Sequence, residues 1–163
     1  KMKVAVVMGS ISDLEICKKA IRILEKFGVE VETRVISAHR TPFKSIEFAQ
    51  NAEDNGIEVI IAVAGKAAHL GGIIAGLTTL PVIGLPVKSS TMDGLDSLLS
   101  VVQMPKGVPV ATVAIDGGEN AGILAVQILS LKYVELKDKL KEYKIELARE
   151  VEEKDSEVLQ MEN

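Results

Sequence analysis

Five short apolar, β-branched runs punctuate the chain, at Val4–Val7, Val29–Ile36, Val59–Val63, Val82–Val87 and Val110–Ile115. Between them the apolar positions recur at helical spacing. The first predicted helix opens near Ser12, where Ser12-x-x-Glu15 has the form of a capping box. Leu14, Cys17, Ile21 and Leu24 keep one face of it, and Gly28 stops it. The second starts with Thr41 as cap and Pro42 as first helical residue, and ends at Asn55-Gly56. A third covers about Leu70–Leu77, a fourth Leu95–Val102 and a fifth Ala121–Leu131. Strand and helix alternating in this way predict an α/β fold with an open parallel sheet of about five strands. Right-handed crossovers then place helices on both faces, giving a flavodoxin-like or Rossmann-like three-layer sandwich.

After Leu131 the pattern changes. The rest of the chain is rich in Lys and Glu, with one apolar stripe at Leu136, Leu140, Tyr143, Leu147 and Val151. That predicts a long helix over about residues 132–160, with Glu135 and Lys139 as an i,i+4 pair on its wet side. The spacing fits a helix covering its own sheet or one reaching onto a neighbouring subunit.

Composition narrows the class. A chain of 163 residues is expected to be one domain, residues 1–163. With no Trp and 3% aromatic residues, its core must be built from Val, Ile, Leu and Ala. A net charge of −4 and no basic stripe argue against nucleic acid as a partner. The single cysteine, Cys17, cannot form an internal disulfide, which fits a reducing compartment, and its place on an apolar helix face marks it as core filler. There is no apolar run long enough for a membrane span and no signal-peptide pattern. A cytoplasmic enzyme or binding protein is expected.

Three loops carry the candidate chemistry, and each follows an apolar run. In a parallel sheet such loops share one edge, where ligands bind. In Gly9-Ser10-Ile11-Ser12-Asp13, the helix start and the hydroxyls of Ser10 and Ser12 suit a phosphate, and Asp13 suits a ribose diol. One of Ser12 and Asp13 is expected to cap the helix as well. In Ser37-Ala38-His39-Arg40-Thr41-Pro42, His39 offers an imidazole for proton transfer near neutrality and Arg40 a planar fork for phosphate. In Gly65-Lys66-Ala67-Ala68-His69-Leu70-Gly71-Gly72, small residues let backbone amides line a pocket. His69 there is a substrate-positioning or capping residue or a second catalytic group, and Lys66 a solvated charge or a cation beside a carboxylated substrate. Two histidines and one cysteine without HExxH or CxxC spacing make no zinc site. The first loop is not GxGxxG, and Gly84-Leu85-Pro86-Val87-Lys88-Ser89 lacks the second glycine of an ATP-binding loop. The set points to proton-transfer chemistry on a sugar phosphate or mononucleotide. A non-catalytic mononucleotide or flavin binder is the remote alternative; the three loops carry no aromatic side chain to stack on a flavin.

Met8-Gly9-Ser10-x-Ser12-Asp13, Ser37-Ala38-His39-Arg40-Thr41-Pro42, Ala67-Ala68-His69-Leu70 and Asp96-Ser97-Leu98-Leu99-Ser100-x-Val102-Gln103-Met104-Pro105 closely resemble the PurE family of purine biosynthesis. Leu80-Pro81-Val82-Ile83-Gly84 and Gly107–Ile115 extend the resemblance, which runs to about Leu131. It implies a mutase that moves a carboxylate from the exocyclic nitrogen of N5-carboxyaminoimidazole ribonucleotide to a ring carbon, giving 4-carboxy-5-aminoimidazole ribonucleotide. No ATP, metal or organic cofactor is implied, and carbon dioxide is the bound intermediate. By the same resemblance His39 is the general acid/base and Ser10, Asp13 and Arg40 bind the ribose phosphate. Ser12, Ser37 and the backbone around Gly65–Leu70, with His69, complete the pocket. A homo-oligomer, an octamer, is implied, with the last helix on neighbouring subunits. Lys66 and Gly71 stand where the mutase pattern has glycine and proline. A sister class, which carboxylates aminoimidazole ribonucleotide directly with carbon dioxide, is the alternative.

Overall fold

The computed structural model describes residues 1–162. Its strands are β1 (Lys3–Met8), β2 (Glu30–Val35), β3 (Val59–Gly65), β4 (Val82–Val87) and β5 (Ala111–Thr112). The helices are α1 (Leu14–Lys26), α2 (Pro42–Asn51), α3 (Leu70–Leu77), α4 (Leu95–Val102), α5 (Gly118–Leu129) and α6 (Glu135–Met161). All five strands pair in parallel in the order β2-β1-β3-β4-β5. That order is flavodoxin-like and decides between the two sheet types the alternation allowed. The chain reverses direction across the sheet between β1 and β3, and the crevice at such a reversal is the ligand site of open α/β sheets.

The alternation of side chains along each strand builds two cores. Val4, Val6, Met8, Ile61 and Leu85 face α1, α5 and the start of α6. Ala5, Val7, Ile60 and Ala62 face α2 and α3. The central strands β1, β3 and β4 are buried on both faces, the reason they read as continuous apolar runs. Each fully buried Val, Ile or Leu contributes about 1.5–3 kcal/mol by leaving water. Gly84 in β4 has no room for a side chain. A Cβ there stands 2.2 Å from Val101 Cγ1, so the glycine lets α4 lie against the sheet. Cys17 is buried, and burial pushes its thiol up to about 12, so it serves as filler and not as a nucleophile.

Several expectations are corrected. The run Val110–Ile115 forms only the two-residue strand β5, because the ladder to β4 ends at Gly84–Thr112. β2 is an edge strand with an exposed surface, and Glu30, Glu32 and Arg34 hold ion pairs along it. Such charges protect an open edge from pairing with another strand. The regular helix α2 ends at Asn51, ahead of the turn at Asn55-Gly56, and α5 starts three residues earlier than expected, at Gly118.

The last helix divides its apolar stripe. Leu136 is fully buried, and Leu140 and Tyr143 pack on the α1/α5 core, with the Tyr143 ring edge-on to Phe27 at 5.7 Å. Lys132 pairs with Glu58, which also accepts a 2.8 Å bond from the Tyr133 hydroxyl. These contacts tie the start of α6 to the entry of β3. Leu147 and Val151 further along are exposed. Glu135 and Lys139 form no ion pair with each other among the described residues. Lys26 of α1 instead reaches Glu146 at 2.9 Å.

Candidate active site

The loops after β1, β2, β3 and β4 enclose one cleft of about 610 Å³. Ser10, Ser12, Asp13, Ser37, His39, Arg40 and His69, the candidate residues of the sequence, all line it, and so does Lys66. They come from positions up to 59 residues apart, brought together because parallel strands all end at the same edge.

The β1 loop folds into a 3-10 turn over Ile11–Asp13, capped by Ser10 and not by Ser12. The Ser10 hydroxyl accepts the Ser12 amide at 3.3 Å and the Ser12 hydroxyl at 2.9 Å. Asp13 stands at the α1 cap position but makes no side-chain cap bond, so the capping box of the sequence does not form. Asp13 lines the cleft instead. The residue is almost buried, and burial, with the nearby Asp116 carboxylate second, raises its pKa above the ordinary aspartate value.

The β2 loop is stapled by Thr41 and Ser37. Thr41 Oγ1 donates to the Ser37 carbonyl at 2.9 Å and accepts the Ser37 amide at 3.0 Å, so Thr41 locks the loop instead of capping α2. Ser37 Oγ accepts from the Arg40 amide at 3.1 Å and from Arg40 Nε at 3.4 Å. The far end of the guanidinium donates to the Gly9 carbonyl at 3.4 Å. Arg40 is thereby drawn across to the β1 loop, and it lines the cleft together with Ser10 and Ser12.

His39 points from the β2 loop toward the β3 loop. Its Nε2 lies 2.9 Å from His69 Nδ1, with the rings edge-to-face at 85°. His69 occupies the α3 cap position without a side-chain cap bond, so its imidazole is committed to His39 and not to the helix. Of the two facing nitrogens one donates and the other accepts, so each ring fixes the tautomer of the other. Lys66 adopts a left-handed backbone, φ 53°, which is the conformation that favours glycine.

The cleft has a fourth wall that the candidate residues missed. Val87, Lys88 and Ser89 line it from the end of β4. Their signal in the sequence is their position at the end of an apolar strand, the same as that of the other three loops. Asp116, beyond β5, gave no signal of its own. Among the described residues no group of three or more His, Cys, Asp or Glu is placed to hold a metal ion. No helix of the described residues is long and apolar enough to cross a membrane.

The flavodoxin-like sheet thus gathers two imidazoles, a guanidinium and a carboxylate in one strand-end cleft. The chain belongs to the AIR carboxylase family, which matches residues 3–150. It is 61% identical over 154 residues to the N5-carboxyaminoimidazole ribonucleotide mutase of Pyrococcus horikoshii, covering 94% of this chain and 87% of that one. It is 60% identical over 152 residues to the mutase of Thermotoga maritima, covering 93% and 89%. Among solved structures, Treponema denticola PurE superposes with a TM-score of 0.88 at 31% identity, covering 96% of this chain and 98% of that one. The resemblance read from the motifs and the parallel-sheet expectation are therefore borne out.

Proposed function

We propose that this chain catalyses the mutase step of purine biosynthesis, converting N5-carboxyaminoimidazole ribonucleotide to 4-carboxy-5-aminoimidazole ribonucleotide with His39 as general acid/base. The names of the relatives, at about 60% identity over nearly the whole chain, support the reaction. The observation that carries the role of His39 is its placement in the cleft, one hydrogen bond from His69 and one residue from Arg40.

In this reading the phosphate sits in the corner of Arg40, Ser10 and Ser12, and Asp13 accepts the ribose hydroxyls. His39 gives a proton to the exocyclic nitrogen as the N–C bond of the carbamate breaks and carbon dioxide is released. The electron-rich ring carbon attacks the retained carbon dioxide, forming the C–C bond. That carbon's proton returns to His39, which restores the aromatic ring. No other reactant is consumed. His69 holds the His39 ring and fixes which nitrogen carries the proton. Lys66, on the cleft wall, attracts the substrate carboxylate.

The chain is in this reading one domain, cytoplasmic and a homo-oligomer, by resemblance an octamer. The apolar residues left exposed on α4 (Leu95, Leu99, Val102) and on distal α6 (Leu147, Val151) support association. The reaction is tested by supplying unlabelled carbamate with labelled bicarbonate and following label into the product. Little incorporation supports the mutase. Full equilibration with the bulk pool, with efficient carboxylation of aminoimidazole ribonucleotide, replaces it with direct carboxylation.

A further inference from the structure

Asp116 stands outside every motif of the chain, yet it holds the end of β4 where that strand lines the cleft. Its Oδ1 accepts the backbone amide of Lys88 at 2.8 Å. Its own amide donates to the Pro86 carbonyl at 2.9 Å, and its carbonyl accepts the Gly118 amide at 2.8 Å. The segment is wedged against α1. A Cβ on Gly118 stands 2.6 Å from the Ile16 carbonyl, so only glycine allows this approach. The approach brings Asp116 near enough to Asp13 for its charge to act there. Asp116 also keeps a left-handed backbone, φ 59°, in which glycine or asparagine is favoured over aspartate. What aspartate adds in return is the bond to the Lys88 amide, at the point where β4 has ended and the ladder offers that amide no partner.

We propose that Asp116 is a positioning residue of the ribonucleotide cleft: its bond to the Lys88 amide holds the Lys88–Ser89 wall in place opposite Asp13. The proposal rests on the functional reading above. Beyond Lys88 the wall is fixed from its other side, where Ser89 Oγ donates to Asp96 at 2.8 Å and accepts the Met92 amide at 3.2 Å. Among the described residues Lys88 Nζ pairs only with the exposed Asp93, at 3.8 Å. On the strand side Ser97 Oγ donates to the Val87 carbonyl at 2.7 Å, so the Asp116 bond is the side-chain tie to the Lys88 amide between these two anchors. Releasing it frees the Lys88 amide alone, between anchors that stay in place.

The test compares Asp116→Gly, Asp116→Ala and Asp116→Asn in the full chain. Asn keeps an acceptor for the Lys88 amide and removes the charge. Gly removes the acceptor and relieves the backbone. Three quantities are read: affinity for 4-carboxy-5-aminoimidazole ribonucleotide by calorimetry, the split between KM and kcat, and amide hydrogen exchange over residues 87–92 in the free protein. With Gly and Ala, affinity falls about 5–10-fold, the effect of one lost hydrogen bond, while kcat stays within about twofold. Exchange at Lys88 quickens. Asn restores affinity and protection to within about threefold. Gly melts no lower than the parent protein, so its loss of affinity is not a loss of fold. Unchanged affinity in both Gly and Ala overturns the proposal, as does a loss confined to kcat or an Asn variant as weak as Ala. A parent protein that does not bind the nucleotide removes the functional reading. Quickened exchange at Lys88 then leaves Asp116 as a structural tie only, which also overturns the positioning role.

Discussion

His39 and His69 meet across two strand-end loops with their facing nitrogens, Nε2 and Nδ1, 2.9 Å apart. Only one proton fits between those nitrogens, so one ring donates and the other accepts. His39→Asn keeps the size of the ring and a hydrogen-bonding end but cannot titrate near neutrality. We expect the fold and ribonucleotide affinity to survive and kcat to fall by about 10²–10⁴. Near-native turnover in that variant moves the proton transfer to another group, His69 first.

The Arg40 guanidinium is aimed at the β1 loop through the Gly9 carbonyl. Arg40→Ala is expected to weaken binding of the ribonucleotide by about 1.5–3 kcal/mol while scarcely changing that of the dephosphorylated riboside. Calorimetry with the two ligands measures the difference. Equal losses with both show that Arg40 does not read the phosphate.

The raised pKa of Asp13 makes stability depend on pH in a defined direction. Burial and the Asp116 charge favour the protonated carboxyl in the folded chain, whereas the unfolded chain gives up that proton at the ordinary aspartate value. The folded state thus binds more protons in between, and stability falls as pH rises through that window. Asp13→Asn removes the penalty. Its Tm is expected to exceed that of the parent at neutral pH, and the difference to vanish below the ordinary aspartate value. The same variant loses the ribose acceptor, so higher stability and weaker ribonucleotide binding appear together.

Lys66 holds a left-handed backbone at φ 53°. For an L residue this costs about 1–2 kcal/mol, partly offset in a glycine variant by glycine's greater freedom when unfolded, about 0.5–1 kcal/mol. Lys66→Gly should therefore gain up to about 1 kcal/mol in urea unfolding. It also removes a cation from the cleft, so affinity for the carboxylated ribonucleotide should drop relative to aminoimidazole ribonucleotide. A destabilised variant means that the lysine side chain contributes packing which outweighs its backbone strain.

The two ends of α6 answer differently to truncation of a side chain. Leu136 is fully buried, and Leu136→Ala is expected to cost about 2–5 kcal/mol through transfer and cavity terms. Val151 is 69% exposed, so Val151→Ala should change the stability of an isolated subunit by no more than about 0.5 kcal/mol. If distal α6 lies against a neighbouring subunit, light scattering shows the Val151 variant dissociating at higher protein concentration than the parent.

The order of strands and helices was legible along the chain because period-2 burial and period-3.6 burial leave different marks. The helices Leu70–Leu77 and Leu95–Val102 coincide with the ranges their spacing predicts. The candidate residues were legible too, since loops after parallel strands must share one edge of the sheet. Tertiary structure alone decided the rest. Strand order 2-1-3-4-5 is set by which faces find cover, and that depends on packing between distant segments. The cap at the first turn passed from Ser12 to Ser10 because the chain leaves β1 through a 3-10 turn, which shifts the free amides by two residues. That His69 turns to His39 instead of capping α3 depends on two loops 30 residues apart meeting over β1. The place of Asp116 beneath the cleft depends on Gly118 letting α5 close on α1, a contact between elements a hundred residues apart that no local pattern encodes.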